Sequence, residues 1–247
     1  MLQAATAYEE DDLTGCEGLV EQMLPDEPDT LINQACITYK EGRYEEARVK
    51  FVEAISLLGP SSELQYNVAL CYYSLNQYGP ALKHIAEIIE KGVREHPELS
   101  VGSNTDGIEV RSVGNTQILR ETALIEAFNL KAAVEFNLKN MDAAKEALSD
   151  MPPRSEDELD PVTLHNQGLI HMDDDPTSGF RKLNFLLQNP PFPPETFGNL
   201  LLLYMKHPKL KWLRSPMQMQ CWTPLNSSCL EKSASSSTCR YWTAMSS

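Results

Sequence analysis

One pattern occurs twice without a gap between residues 28 and 95, at a spacing of 34 residues. It places a polar residue, small residues and aromatic residues at fixed positions. The matched pairs are Asn33 with Asn67, Ala35 with Ala69, Tyr39 with Tyr73, Tyr44 with Tyr78, Ala47 with Ala81, and Ile55 with Ile89. A repeat of about this length holds two helices and a tight turn, and one such pair cannot bury its own apolar face. The pattern therefore predicts a stack of helix pairs.

The small residues of the pattern have a steric role. Ala35 is predicted on the first helix and Ala47 on the second, where the two helices cross. A larger side chain at either position would push the helix axes beyond the usual separation of about 8–10 Å. Small residues followed by aromatics at this spacing resemble the tetratricopeptide repeat. We predict an all-α fold, namely a right-handed tetratricopeptide-repeat superhelix (an α-solenoid) with a disordered C-terminal tail.

Composition excludes several classes of function. The net charge of −14 argues against nucleic acid or an anionic membrane surface as a direct partner. No run approaches about 18 apolar residues, so no membrane insertion is predicted. The beginning of the chain lacks the basic and apolar regions of a signal peptide. The six cysteines form no CxxC pair, which favours reduced thiols in a cytoplasmic compartment.

The repeat pattern predicts one solenoid over residues 1–206. Its expected repeats are residues 1–27 (partial), 28–61, 62–95, 125–158, 161–194 and 195–206 (partial), with a long loop at about 97–117. In the fourth full repeat, Gly168 and Gly179 take the small positions and Asp160 is the expected N-cap.

Residues 207–247 lack the helical period and are rich in Ser, Met, Trp, Cys and Pro. We interpret this tail as disordered and as the product of an alternative exon or a shifted frame. Since its basic residues outnumber its single acidic residue, Glu231, a nucleic-acid-binding tail is the alternative.

Stretches outside the repeat positions are more specific than the repeats themselves. They are KHIAEIIEKGVREHPEL (83–99), VRSVGNT (110–116), TALIEAFNLKAA (122–133), LDPVTLHNQ (159–167) and NPPFPPETFGNLLLLY (189–204). They closely resemble the tetratricopeptide-repeat subunit of intraflagellar transport complex B, the fleer family. The resemblance covers roughly residues 1–206 and corresponds to an N-proximal part of the family.

The resemblance implies a non-enzymatic scaffold that takes part in assembling cilia and in transport inside them. It also implies a superhelix wrapped around an extended segment of another complex B subunit, and an indirect link to a kinesin motor. The implied location is the cilium and the cytoplasm. The family is further linked to polyglutamylation of axonemal tubulin, as a requirement rather than as the ligase.

No catalytic, cofactor-binding or metal-binding residues are predicted. His165 and His171 are six residues apart, which does not place them on one helical face. HExxH, zinc-type Cys/His spacing, a P-loop and GxSxG are all missing from the sequence. The acidic run Asp173–Asp175 lacks the alternating ligands of a calcium loop, so a solvated turn is favoured.

Two sets of residues are predicted to line the inner, concave wall and to bind a partner. The asparagines of the first helices can satisfy the N–H and C=O groups of an extended peptide, and a bond between helices is the alternative. Aromatic and apolar side chains suit such a wall as well, and ordinary repeat core is their alternative. The two sets are Asn33, Asn67 and Asn166, and Tyr39, Tyr66, Tyr73, Phe136 and Met172.

Two other functions remain as alternatives. One is a cytosolic tetratricopeptide-repeat co-chaperone or peptide-binding adaptor. Such proteins hold a C-terminal carboxylate with lysines, and Ile32 and Cys36 stand where a lysine and an asparagine would be expected. The other is an enzyme that carries the glutamylation activity itself, which would need nucleotide-binding elements that the sequence lacks.

Overall fold

A computed structural model of the chain describes residues 2–24, 27–102, 111–172 and 174–206. Within these residues the regular elements are helices, and no β-strand occurs among them. The α-helices are α1 (Leu2–Glu9), α2 (Leu13–Val20), α3 (Pro28–Lys40), α4 (Tyr44–Leu58), α5 (Ser62–Ser74), α6 (Tyr78–Glu95), α7 (Gln117–Glu121), α8 (Leu124–Asn137), α9 (Met141–Ser149), α10 (Pro161–Ile170), α11 (Pro176–Gln188) and α12 (Glu195–Lys206). Short 3-10 helices occupy Pro97–Leu99 and Glu156–Glu158. The all-α prediction is confirmed, and the disorder predicted for residues 207–247 lies outside the described residues.

The described residues form two compact units that divide after Arg154. In the first unit, α3 packs against α4, α5 against α6, and α8 against α9. The pairs are joined because α4 also packs against α5, and α6 against α8. In the second unit, α10 packs against α11, and α11 against α12. Within each unit, neighbouring helix pairs therefore cover one another, as a repeat array requires.

One type of turn recurs in the first unit. It has three residues, and it joins α1 to α2, α3 to α4, α5 to α6, and α8 to α9. In each turn the last N–H group bonds to a carbonyl five residues earlier, as from Arg43 to Thr38 at 3.1 Å. This is the Schellman pattern, which needs a left-handed residue just after the helix. The middle residues have the required positive φ: Asp11 (61°), Gly42 (82°), Asn76 (58°) and Lys139 (66°).

Small residues occupy the helix crossings, as the repeat predicts. In the first unit, Ala35, Ala47, Ala69 and Ala81 have no exposed surface. Phe51 is buried beside them in the same core. Helices that meet through alanine come close enough for the larger side chains around the crossing to interlock.

Glycine takes the crossing positions in the second unit. A Cβ atom added to Gly179 would lie 2.6 Å from the carbonyl oxygen of Gly168 and 2.6 Å from the terminal methyl group of Met172. The two helices therefore approach more closely than alanine would permit. Asp160 caps α10 as predicted, because its carboxylate accepts a bond of 2.8 Å from the N–H of Thr163.

Both flanks of the predicted loop at 97–117 are tied to the segment that follows α9. The N–H of Gly102 donates to the carbonyl of Asp150, and the N–H of Val113 donates to that of Pro153, each at 2.9 Å. Residues 103–110, at the centre of this loop, lie outside the described residues. The loop begins with the 3-10 helix after α6, and α7 begins at Gln117.

Candidate partner-binding site

The structure places the three predicted asparagines in different environments. Asn33 on α3 and Asn67 on α5 have no exposed surface. The side-chain amide of Asn33 lies 3.8 Å from the sulfur of Met23, which lies between α2 and α3. Asn166 on α10, in the second unit, is half-buried. Of the three, only Asn166 presents surface to a partner in this structure.

The predicted aromatic and apolar residues also differ in exposure, since some are buried and others are half-buried. Tyr39 is buried, and its hydroxyl lies 2.8 Å from Oγ of Ser74. Met172 is buried against Gly179 in the core of the second unit. Tyr66 and Tyr73 are half-buried at the edge of the first core.

Phe136, near the end of α8, is 49% exposed, the most exposed of the predicted residues. Together with the half-buried tyrosines of α5, it forms what we call the first-helix surface of the first unit: Tyr66, Tyr73 and Phe136. The two tyrosines combine apolar contact with a hydroxyl group that can form hydrogen bonds, and Phe136 adds apolar contact alone.

A row of contacts, here called the tyrosine ladder, joins successive helix pairs in the first unit. Its three steps are Tyr8 with Lys40, Tyr39 with Ser74, and Tyr73 with Asn137. In the first step, the ammonium group of Lys40 donates to the carbonyl of Tyr8 and lies 4.2 Å from the centre of its ring. In the third step, Nδ2 of Asn137 donates to the hydroxyl of Tyr73 at 3.0 Å. The ladder links helices that are far apart in the sequence.

The repeat pattern does not predict the partners of the tyrosines in this ladder. Lys40, Ser74 and Asn137 are the last residues of α3, α5 and α8, each directly before a three-residue turn. Their common position is a signal that could have identified them. The signal is weak because a lysine, a serine and an asparagine share no side-chain type.

In the third step of the ladder, the phenol group of Tyr73 is partly buried. Burial raises the pKa of Tyr73, and the bond from Asn137 lowers it to a smaller extent. The phenol therefore stays protonated, and its hydroxyl keeps a donor for another acceptor while it accepts from Asn137. A carbonyl of an extended peptide is a suitable acceptor.

A second cluster joins α4, α5 and α6. The guanidinium carbon of Arg48 lies 5.2 Å from the centre of the Tyr72 ring, and Nη1 lies 3.4 Å from its hydroxyl. Tyr72 also stacks on His84, with ring centres 5.7 Å apart and planes inclined by 16°. Burial lowers the pKa of His84, and the charge of Glu87 opposes that effect. The cluster is a cation–π and stacking contact that fixes these three helices.

Two kinds of site are not found among the described residues. No group of three His, Cys, Asp or Glu side chains there is arranged to hold a metal ion. In the same residues, no helix has the length and apolar character needed to cross a membrane.

Helix pairs with small crossing residues and a recurring turn define a tetratricopeptide-repeat protein. A crystal structure of a tetratricopeptide repeat protein from Parabacteroides merdae ATCC 43184 is similar in fold, with a TM-score of 0.50. The similarity covers 84% of this chain and 72% of that one at 16% sequence identity, so it bears on the fold alone. No protein-family profile matches the chain.

Several relatives found by sequence are intraflagellar transport proteins. Over 206 residues the chain is 66% identical to intraflagellar transport protein 70A of Xenopus tropicalis and 65% identical to that of Danio rerio. It is 61% identical over 216 residues to intraflagellar transport protein 70A1 of Mus musculus. These matches cover 83% of this chain and 32% of each relative, so the chain spans about a third of their length. The resemblance to the intraflagellar transport subunit is confirmed.

Proposed function

We propose that this chain is a non-enzymatic scaffold subunit of intraflagellar transport that binds an extended segment of another complex B subunit. The observation that carries the proposal is the 66% identity over 206 residues to intraflagellar transport protein 70A. Identity at this level extends over surface positions as well as core positions. A surface retained to this degree favours a shared partner.

The first-helix surface is the proposed contact in the first unit. Tyr66, Tyr73 and Phe136 supply aromatic area at a low cost in side-chain entropy, because each ring has two rotatable bonds. Tyr73 is held by Asn137, so its ring is already oriented before a partner arrives. An extended segment fits such a surface because its carbonyl groups can accept from the phenol.

The three asparagines differ in exposure, and their proposed roles differ accordingly. Asn33 on α3 and Asn67 on α5 are buried, and the side-chain amide of Asn33 contacts the sulfur of Met23. Asn166 is half-buried in the second unit, where its amide can bond to the backbone of a peptide. The peptide-binding role is therefore proposed for Asn166, and Met172 contributes to the core of the second unit.

The proposed setting is the cilium, with the cytoplasm as the site of assembly. The same proposal includes the link to polyglutamylation of axonemal tubulin, as a requirement for that modification and not as its catalyst. A scaffold role needs only binding surfaces on a rigid array, which stacked helix pairs supply.

Co-expression and affinity capture test this proposal. The 247-residue chain is co-expressed with each complex B subunit in turn, and a peptide that ends in a chaperone C-terminal carboxylate serves as the contrasting ligand. We expect one complex B subunit to co-purify in a stoichiometric amount and the chaperone peptide not to bind. Capture of the chaperone peptide, without any complex B subunit, would overturn the proposal in favour of a co-chaperone.

A further inference from the structure

The segment between α9 and α10, residues 150–160, carries a serine that is followed at once by acidic residues. They are Ser155 and then Glu156, Asp157 and Glu158. Ser155, Glu156 and Asp157 are exposed. The backbone of Ser155 is extended, with a φ of −67° and a ψ of 155°. The hydroxyl of Ser155 is therefore a nucleophile that a second protein can reach.

Four hydroxyl groups in the described part of the chain have an acidic residue three positions later. They belong to Thr6, Thr14, Thr38 and Ser155. The three threonines lie within α1, α2 and α3, and Thr38 is also buried. Ser155 is therefore the one of these four that is exposed and lies outside an α-helix. Ser103 and Ser228 have the same spacing but lie outside the described residues.

The fold makes Ser155 easy to modify and protects the helical threonines. A protein kinase binds its target hydroxyl within an extended segment, and local opening costs little where few apolar contacts are buried. The 3-10 turn Glu156–Glu158, directly after Ser155, contains no buried residue. Opening α2 around Thr14 would instead expose Cys16, which has no exposed surface. A kinase should therefore reach Ser155 in the folded chain and not Thr14.

Local bonds hold this turn closed, and they can break without disturbing the core. The N–H and the hydroxyl of Ser155 both donate to the carboxylate of Glu158. The carboxylate of Glu156 lies 3.5 Å from the cationic groups of Arg181 and Lys182 on α11. The Glu156 side chain is 53% exposed, and ion pairs in contact with water contribute little to stability. The turn can therefore open into the extended form that a kinase binds.

The surroundings of Ser155 also select the class of kinase. Pro152 and Pro153, directly before Arg154, are buried, so a kinase that reads residues on that side of the serine cannot reach them. Glu156 stands where a proline-directed kinase needs proline. In an extended chain, Glu156 and Glu158 point to the same side. Basic groups in a substrate groove would bind both carboxylates.

We propose that Ser155 is a phosphorylation site for a serine/threonine kinase that selects acidic residues with a basic substrate groove. ATP, bound with Mg²⁺ in the kinase, is the phosphoryl donor. The hydroxyl oxygen of Ser155 forms a bond to the γ-phosphorus while the bond from that phosphorus to the departing ADP breaks, and the hydroxyl proton passes to a carboxylate of the kinase. The product carries a charge of about −1.5 to −2 beside Glu158. Phosphorylation therefore removes one bond of the turn and adds repulsion within it.

Phosphorylation of the complete chain tests the proposal. The folded chain is incubated with ATP, Mg²⁺ and a purified casein kinase, which selects serines followed by acidic residues, and peptide mass spectrometry assigns each site. We expect Ser155 to be modified and Thr14 to remain unmodified. Because a kinase can favour serine over threonine, Ser155→Thr supplies a matched acceptor. Position 155 in this variant should still be modified at least about tenfold faster than Thr14.

Glu158→Gln tests whether the acidic residues are recognised. Glutamine keeps the length of the side chain, and its carbonyl oxygen can accept the same bonds from Ser155. Loss of the charge should lower the rate of phosphorylation at Ser155 about tenfold. Glu17→Gln, on an exposed position of α2, is the matched control and should leave that rate unchanged. Circular dichroism verifies that both variants fold.

The same phosphopeptide should be present when the chain is expressed in cultured eukaryotic cells and isolated with phosphatase inhibitors. Its absence from such cells would overturn the proposal, as would a folded chain in which the kinase leaves Ser155 unmodified. Modification of Thr14 as fast as that of position 155 in Ser155→Thr would show that the fold does not select the site. An unchanged rate in Glu158→Gln would overturn the assignment to a kinase that selects acidic residues.

Discussion

At the scale of single residues, neighbouring helix pairs of the first unit are held together where their first helices end. The tyrosine ladder places one side-chain contact at each of these junctions. Its bonds lie at the edge of the core, where water competes only in part, so each one contributes to stability without a large burial cost. The bond from Asn137 also orients Tyr73, one of the three rings of the first-helix surface.

The ladder predicts a measurable effect of removing one hydroxyl. Tyr73→Phe keeps the ring but removes the acceptor of the Asn137 bond, and should reduce the free energy of unfolding by roughly 0.5–1.5 kcal/mol. Urea denaturation measures the loss. A double-mutant cycle with Asn137→Ala serves as the control, because the two changes should be less than additive. Additive losses would show that the two side chains do not interact.

His165 predicts a pH dependence of stability. Burial lowers the pKa of His165 below its ordinary value of 6.5, and the charge of Glu195 opposes this shift. The imidazole of His165 therefore binds a proton less readily in the folded chain than in the unfolded chain. The corresponding stability is present above about pH 6.5 and is lost as the pH falls below that value.

The test compares wild type with His165→Gln, in urea denaturation series at about pH 7 and about pH 5. The variant lacks the titrating ring, so it should lose less stability than wild type between the two pH values. His165 also lies 3.2 Å from Nδ2 of Asn199, and this contact can weaken in the variant at every pH. The loss in free energy of unfolding between the two pH values is therefore the quantity to compare. An equal or larger loss in the variant would refute the assignment of the pH dependence to His165.

At the scale of elements, the recurring three-residue turn fixes how each helix pair of the first unit folds back. Its left-handed middle residue suits glycine, and asparagine or aspartate to a lesser degree. Gly42 and Asn76 follow this preference, whereas Lys139 has a φ of 66° without any local advantage. The turn after α8 therefore carries backbone strain that the other turns avoid.

Lys139→Gly should stabilise the chain by about 1 kcal/mol, since it removes the left-handed strain and gives up only the contact of the Lys139 ammonium group with the Phe136 ring, 5.6 Å from the ring centre. The reciprocal change, Gly42→Ala, should destabilise it by a similar amount. Thermal denaturation of both variants measures the two changes in stability. If Lys139→Gly lowered the melting temperature, the turn would not be strained, or the contact of Lys139 with the Phe136 ring would outweigh the strain.

The elements were largely predictable from the sequence, and the exposure of individual residues was not. The spacing of 34 residues placed Ala35, Ala69 and the turn residue Gly42 correctly, because periodicity reflects helix packing directly. The same period does not separate a half-buried position from a buried one on the same helix. Asn33 and Asn67 were expected on an accessible wall, yet both are enclosed by neighbouring helices.

At the scale of the whole molecule, the chain combines a repeat fold with strong similarity to one part of longer relatives. The fold alone does not specify a function, because stacked helix pairs serve many kinds of binding. The sequence stretches between the repeats provided the family resemblance, since they are not required by the fold. Two compact units then supply the surfaces on which the proposed scaffold role depends.

Calorimetric titration tests the central proposal most directly. An extended segment of the complex B subunit that co-purifies is titrated into the wild-type chain and into the double variant Tyr66→Ala, Phe136→Ala. Phe185→Ala, which removes an exposed ring from α11 in the second unit, is the control. The proposal predicts that wild type and control bind equally, and that the double variant binds at least about tenfold more weakly. A folded double variant with unchanged affinity, or a wild-type chain that binds no complex B segment, would contradict it.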